Sequence, residues 1–506
     1  MRDGVTSKLR QALQHKSQNP HSQLTRPAKS LRWLRNNECA TGGIAPYGDA
    51  IIGSPGLTAS LLSTLFRNGE RELATRSVHW LIAIQDLDGS FPVRESHSNR
   101  FLETALVLRG FAFAKQMHCV AMKTFRQAAD YIFGMLSGAD AKNPGPDSPD
   151  FAIEQCMGLG ALSAANKFLK VSDFQELIEN RIAKLSVRES WIQAPLDTIS
   201  TLLDSLIELN LIQPARQMLK ILDSHHPKSG LLPVRPRAHW ISTAGIAHLA
   251  LCRRKVGQND RFESVVEWLE QRQRPTGGFQ AGYGWRAPFD FRRESAWTAK
   301  WYLDAHYFRV LHFMEREVKS CHIPDNDGRF LALMNFIHPG DNILEVGCGR
   351  GRYLRAIRDA VPNVHCTGTD IVPSLLADIP SSISTIEAPM EAVPCTDDTY
   401  DMVFSVEALE HSSNFQAAIR EMCRITRPGG WVAVIDKERR QWGKLECPSW
   451  EQWPDAEELA RIFEEHCDEV QFEPVGYDGR PPDGLMMLWR GRKRTLVNNA
   501  AANPLL

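Results

Sequence analysis

Ile343-Leu344-Glu345-Val346-Gly347-Cys348-Gly349-Arg350-Gly351 is an apolar run that breaks into alternating glycines. It predicts a buried strand, a tight turn and the start of a helix. Glycine accepts the backbone angles such a turn needs and lets the main chain pass within contact distance of a ligand. Downstream, short apolar runs alternate with helical stretches: Asn342 to Val346, Val364 to Thr369, Ser382 to Ile386, Met402 to Ser405, Trp431 to Ile435, then the weaker Val470 to Pro474 and Leu485 to Trp489. This alternation predicts an α/β, doubly wound parallel sheet over residues 320–493, with a small polar tail over 494–506.

Upstream the pattern is different. Residues 31–319 read as helices of ten to fifteen residues separated by Gly, Pro, Asp and Ser, so this region is expected to be all-α. It carries an internal repeat. Trp33-Leu34 leads through Gly42-Gly43-Ile44, Trp80-Leu81 through Asp88-Gly89-Ser90-Phe91, and Trp268-Leu269 through Thr276-Gly277-Gly278-Phe279; a weaker copy runs from Leu219 through Ser229-Gly230-Leu231. Trp33 to Trp80 and Leu222 to Leu269 are both 47 residues, and the interval between leaves room for two degenerate copies. Six helix pairs result, each with a second helix rich in small residues that suits an inner ring, which predicts an (α/α)6 toroid. The Gln85 to Phe91 and Gln273 to Phe279 turns resemble the repeats of terpenoid cyclases and protein prenyltransferases. That likeness implies fold and not activity: Asp86-Leu87-Asp88-Gly89 lacks half of the cyclases' acidic motif, and both aspartates suit turn and cap roles. The basic, polar residues 1–30 are expected to form a flexible leader.

The glycine turn carries the chemistry. Nicotinamide-binding folds use similar turns, but there the third glycine falls three residues after the second, and here that position is Arg352. An acidic residue, Asp370, ends the next strand 23 residues past Gly347. Taken with Gly368-Thr369-Asp370, Tyr400-Asp401-Met402-Val403 and Arg427-Pro428-Gly429-Gly430, the region resembles the class I, Rossmann-like, type 11-like methyltransferases. The resemblance implies S-adenosylmethionine as cofactor: Gly347 and Gly349 beside its methionine part, Asp370 on the ribose, and Glu345 acting through its amino group. Cys348, Ile371, Met390 and Ser405 complete the expected cofactor set. Pro389 stands where many relatives place an Asp for the adenine amino group, which leaves Met390 to offer its backbone N–H and an apolar contact.

Ser405-Val406-Glu407-Ala408-Leu409-Glu410-His411 resembles the Leu-Glu-His that follows this strand in many small-molecule and glycan methyltransferases. It implies His411 as a general base, with Glu407 beside it as a second catalytic candidate. The alternative is that His411 caps the following helix or orients Glu407. No metal ligand set accompanies it. Asp436 to Gly443, with Trp450, Trp453 and Pro454, is expected to form a lid or acceptor wall, and Tyr283, Trp285, Arg293, Glu294 and Trp297 to meet the acceptor at the toroid mouth.

With 59 basic and 60 acidic side chains, the charge balance gives no reason to expect nucleic acid as a partner. The 11 cysteines form no CxxC pair, and no apolar run approaches the length of a membrane span, so a cytoplasmic protein with reduced thiols is expected. The resemblance favours O-methylation of a glycan in bacterial surface polysaccharide biosynthesis, with the toroid helping to bind the acceptor. The alternatives are methylation of a small lipid or natural product, or a binding module carrying an inactive methyltransferase fold.

Overall fold

A computed structural model of the protein describes residues 25–495, apart from 96–97, 117–119, 139–148, 186, 226–231, 236–237, 260, 286, 325 and 449. The expected leader over residues 1–24, the tail from residue 496 and the Ser229-Gly230-Leu231 turn lie outside the described residues. The leader expected to reach residue 30 is corrected at its end. Thr25 accepts the Ala28 N–H at 3.2 Å and Pro27 stands in the first turn, so a helix opens at Arg26 with Pro27 and Ser30 buried.

Twelve α-helices follow in the described part of this region: α1 (Arg26–Asn36), α2 (Pro55–Arg67), α3 (Arg71–Ala83), α4 (Arg100–Gln116), α5 (Met122–Ser137), α6 (Pro149–Leu169), α7 (Ser172–Ile182), α8 (Leu196–Glu208), α9 (Ile212–His225), α10 (Thr243–Lys255), α11 (Phe262–Glu270) and α12 (Ala296–Glu317). The even-numbered helices pack each against the next, and α12 packs back against α2. The odd-numbered helices lie beside them. Serines open three of the even set: Ser54, Ser242 and Ser295 accept the backbone N–H of Leu57, Gly245 and Thr298. Gly110 lets α4 close on α2, since a Cβ there would lie 2.5 Å from the Ala59 carbonyl oxygen.

The repeated Gln-to-Gly turns join the odd-numbered helices. Gln85 donates to the carbonyls of Gly89 and Thr124, both at 3.1 Å, so the turn after α3 holds the start of α5. Gln273 donates to Gly277 O at 3.2 Å, Ser30 Oγ at 2.9 Å and Arg26 O at 2.7 Å, so the turn after α11 holds α1 in the same way. Backbone bonds from Gly48 N–H to Glu294 O and from Ala296 N–H to Pro46 O tie the two ends of the region together. Asp88 accepts from the Ser90 N–H and hydroxyl and Asp86 pairs with Arg100, which are turn roles.

A short antiparallel pair, β1 (Trp240–Ser242) with β2 (Gly282–Gly284), precedes α12. Beyond α13 (Gly328–Met334) the chain builds a seven-stranded sheet from β3 (Asn342–Val346), β4 (His365–Asp370), β5 (Ser384–Glu387), β6 (Tyr400–Val406), β7 (Thr426–Lys437), β8 (Cys467–Pro474) and β9 (Met486–Lys493). The order is β5-β4-β3-β6-β7-β9-β8, parallel except that β9 runs antiparallel to both neighbours. This is a Rossmann-like, doubly wound sheet, with α14 (Arg352–Ala360), α15 (Pro373–Leu376), α16 (Phe415–Ile425) and α17 (Ala456–Glu464) around it. Strand alternation sends Ile343, Met402 and Phe404 into one apolar layer and Leu344, Val346 and Val403 into the other. Among the described residues no helix is long and apolar enough to cross a membrane.

The Gly277 turn tests the closing contact. Its φ is +100° and a Cβ would overlap the Lys29 carbonyl, whereas Gly134, exposed in α5, has nothing within 4 Å of an added Cβ. Gly277→Ala should lower the unfolding free energy by about 2–4 kcal/mol. Gly134→Ala should raise it by roughly 0.5–1 kcal/mol. Chemical denaturation reads both, and equal effects would contradict the closing role.

Candidate active site

β3 and β4 lie side by side, and the turn leaving β3 is pinned to the end of β4. Gly347 and Cys348 both donate their N–H to Thr369 O, at 2.8 and 2.9 Å. Gly347, Gly349 and Gly351 all have positive φ, and a Cβ on Gly347 would overlap the Ala408 methyl. Asp370 is buried; its carboxylate accepts the N–H of Gly349 at 2.8 Å and of Val372 at 3.0 Å. Burial pushes its pKa up, and those two backbone bonds pull against the shift.

A cleft opens above this turn. Gly347, Asp370, Ile371, Met390 and His411 of the expected residues line it, with Ala388 and Pro389. The other wall comes from the helical region: Arg67 and Asn68 at the end of α2, and His306, Tyr307, Val310 and Met314 along α12. Nothing local in the sequence ties these positions to the glycine turn. They face it because α12 and the α2–α3 turn rest on the sheet region. Arg71 pairs with Glu421 at 2.9 Å, and Arg350 donates to Val318 O at 2.9 Å.

Several expected residues sit elsewhere. Gly349 contributes its N–H to Asp370 but does not line the cleft. Cys348 is buried under the turn with its thiol toward Gly368. Ser405 is inside β6, beside Val434, and its buried hydroxyl has no partner. Glu345 lies beneath the turn with Oε2 unpartnered. Glu407 turns away: its φ is +51° and its carboxylate is held by Arg329 at 2.8 Å and by Arg352. Two guanidiniums fix Glu407 against the fold, so the catalytic role expected of it is withdrawn. Motif position alone does not show which way each side chain points.

His411 is at the cleft. It ends a short 3₁₀ turn, Leu409–His411, and lines the cleft with its side chain 8% exposed. Its Nε2 is 3.3 Å from Glu410 and its Nδ1 has no partner. Burial alone would raise Glu410, but His411 and Lys437 outweigh it and hold that carboxyl down to about 2. Trp450 lies 5.8 Å from the His411 ring and Phe313 of α12 also 5.8 Å. Of the expected wall, Trp453 is instead buried against Glu451, and Arg439 and Arg440 are ion-paired with Asp455, Glu457 and Glu458. His306, a second cleft histidine, also has an unpartnered Nδ1; burial and Arg309 push it down to about 3. The residues expected at a toroid mouth, Tyr283, Trp285, Arg293, Glu294 and Trp297, do not line the cleft. Trp297 lies roughly 13–26 Å along α12 from the cleft residues at about 1.5 Å per residue, and Glu294 is spent on Trp33 and Thr276.

A parallel sheet with a glycine turn at its switch point, a ribose-suited carboxylate beside it and a cleft above define a nucleotide-cofactor domain. Within it, residues 344–434 match the family described as "Methyltransferase domain". The curated relatives include a malonyl-[acyl-carrier protein] O-methyltransferase of Serratia marcescens, 34% identical over 21% of this chain and 42% of that protein. Another is the 27-O-demethylrifamycin SV methyltransferase of Amycolatopsis mediterranei, 33% identical over 21% of this chain and 42% of that protein. A solved S-adenosylmethionine-dependent methyltransferase from Thermotoga maritima aligns at 19% identity over 33% of this chain and 88% of that one, with a TM-score of 0.28. The chain spans about two-fifths of the length of the curated relatives named here. S-adenosylmethionine is the cofactor, and the site fits it: a side-chain-free turn at Gly347, a carboxylate at Asp370 and an apolar flank at Ile371, Pro389 and Met390.

Two measurements check this site. Asp370→Ala should weaken S-adenosylhomocysteine binding about 5- to 150-fold by calorimetry, the loss of charge-assisted hydrogen bonds. Glu345 gives a pH signature. Burial pushes its carboxyl from near 4.5 up to about 8, with Arg352 pulling it back. The folded chain therefore keeps a proton that the unfolded chain loses, and Glu345's contribution is fullest below about pH 4.5 and declines as pH rises to 8. Glu345→Gln removes the dependence. The wild-type minus variant stability should fall by about 1 kcal/mol per pH unit between pH 5 and 8. Parallel profiles would contradict it.

Proposed function

We propose that the protein transfers a methyl group from S-adenosylmethionine to an acceptor hydroxyl, with His411 as general base. The observation that carries this is the unpartnered Nδ1 of His411, buried and lining the same cleft as Asp370. When bound, the cofactor supplies a methyl group on a sulfonium sulfur. Glu410, kept as a carboxylate by Lys437, holds the proton on Nε2, which leaves Nδ1 bare to take the hydroxyl proton as the oxygen becomes nucleophilic.

The finer proposal is a glycan or glycolipid acceptor in bacterial surface polysaccharide biosynthesis. Trp450 and Phe313 beside His411 support it, since sugar rings stack on aromatic faces. The helical region is proposed as an (α/α)6 toroid, supported by the cyclic packing of its even-numbered helices, and it helps to bind the acceptor through α12. A small lipid or natural product is the second reading, favoured by the apolar Val310 and Met314 and by relatives named for rifamycin and sterol methylation. The intact glycine turn and the open cleft speak against an inactive fold.

His411→Asn should lower methyl transfer about 10²–10⁴-fold while S-adenosylhomocysteine affinity stays near wild type. Mass spectrometry of the surface glycan from a deletion strain, complemented with each form, reads it. Methyl groups that persist in the deletion strain would remove the glycan. Full restoration by the variant would remove His411 as base.

A further inference from the structure

Adenine presents an exocyclic amine that donates hydrogen bonds, and a buried donor without an acceptor is costly. The apolar flank of the cleft next to Asp370 is the slot for a flat ring, but Ile371, Ala388, Pro389 and Met390 carry no polar oxygen or nitrogen in their side chains. Of the neighbouring carboxylates, Asp370 takes the Gly349 and Val372 N–H groups, one on each oxygen, and Glu391 takes the Ser412 hydroxyl at 2.7 Å and the Ser413 N–H at 3.0 Å on Oε1.

Asn68 brings a neutral amide acceptor to this cleft. It caps the end of α2, lines the cleft and is 6% exposed. Its Nδ2 donates to the Thr64 carbonyl at 2.7 Å, which fixes the amide orientation and leaves Oδ1 as a bare acceptor. The next residue presses on the same flank: a Cβ on Gly69 would lie 3.1 Å from the Glu391 Cβ. Arg67, one residue earlier, lies over the Tyr307 ring at 4.8 Å, so the start of this turn is also braced by α12.

We propose that Asn68, supplied by the helical region, recognises the adenine amino group of S-adenosylmethionine through its amide oxygen. This rests on the placement of the cofactor in the cleft. Specificity for adenine then comes from outside the methyltransferase sheet.

The test uses the full-length protein and two probes: S-adenosylhomocysteine, and S-inosylhomocysteine, in which a carbonyl replaces the amine. Calorimetry should show wild type preferring the adenine compound by about tenfold or more. Asn68→Leu and Asn68→Ser, each checked for a cooperative thermal melt, should bind S-adenosylhomocysteine roughly 5- to 100-fold more weakly. Their preference between the probes should shrink to within about threefold, a change that general loosening of the cleft does not produce. Either folded variant suffices. A variant that keeps the wild-type preference overturns the assignment. If Asp370→Ala also leaves S-adenosylhomocysteine affinity unchanged, the placement of the cofactor falls as well; if Asp370→Ala weakens it, only the role of Asn68 falls.

Discussion

α12 is 22 residues long, which at about 1.5 Å per residue spans roughly 33 Å. It packs against α2 and α10, and its first residue, Ala296, donates its N–H to the Pro46 carbonyl, so it is the piece that brings the end of the helical region back to its start. Its second half carries His306, Tyr307, Val310 and Met314 over the glycine turn of the sheet region, and Phe313 against His411. One rigid helix therefore sets both the closure of the helical region and the height of the cleft roof. A change that shifts the helix at Ser295 would be felt at both ends.

The reactive turn is held by charged side chains paired across distant elements. Arg329, buried beside its helix-capping neighbour Asp327, reaches Glu407 and Asp478, tying the turn after β6 to the segment before β3 and to the β8–β9 loop. Lys437 at the end of β7 does the same for Glu410, and Glu410 orients His411. Breaking either buried pair would leave a charge without compensation, which typically costs about 3–5 kcal/mol. The helical region has its own charged centre, where Asp204 is met by Lys255 at 2.6 Å, Arg109 and His248, and is held well below the usual carboxylate range.

The strands, the glycine turn and Asp370 were legible because each is written in adjacent residues: an apolar run, glycines at alternate positions, an acidic strand end. His411 was legible for the same reason. Side-chain direction was not. Glu407 is drawn away from the cleft by Arg329, 78 positions earlier, and Cys348 and Ser405 do not line it. The start of α1 could have been read from Thr25 and Pro27, a helix-opening pair hidden in a stretch whose composition suggests a leader. The roof residues Asn68 and His306 carry no local signal at all, since their meaning arises only when two distant stretches dock.

That docking is the core of the account, and hydrogen exchange of the full-length protein with and without S-adenosylhomocysteine tests it most directly. Cofactor binding in a jointly built cleft should slow exchange in the peptides around residues 345–351 and 388–391 and also in those covering residues 67–71 and 305–314. Protection confined to the sheet region, with α12 and the α2–α3 turn unchanged, would contradict it.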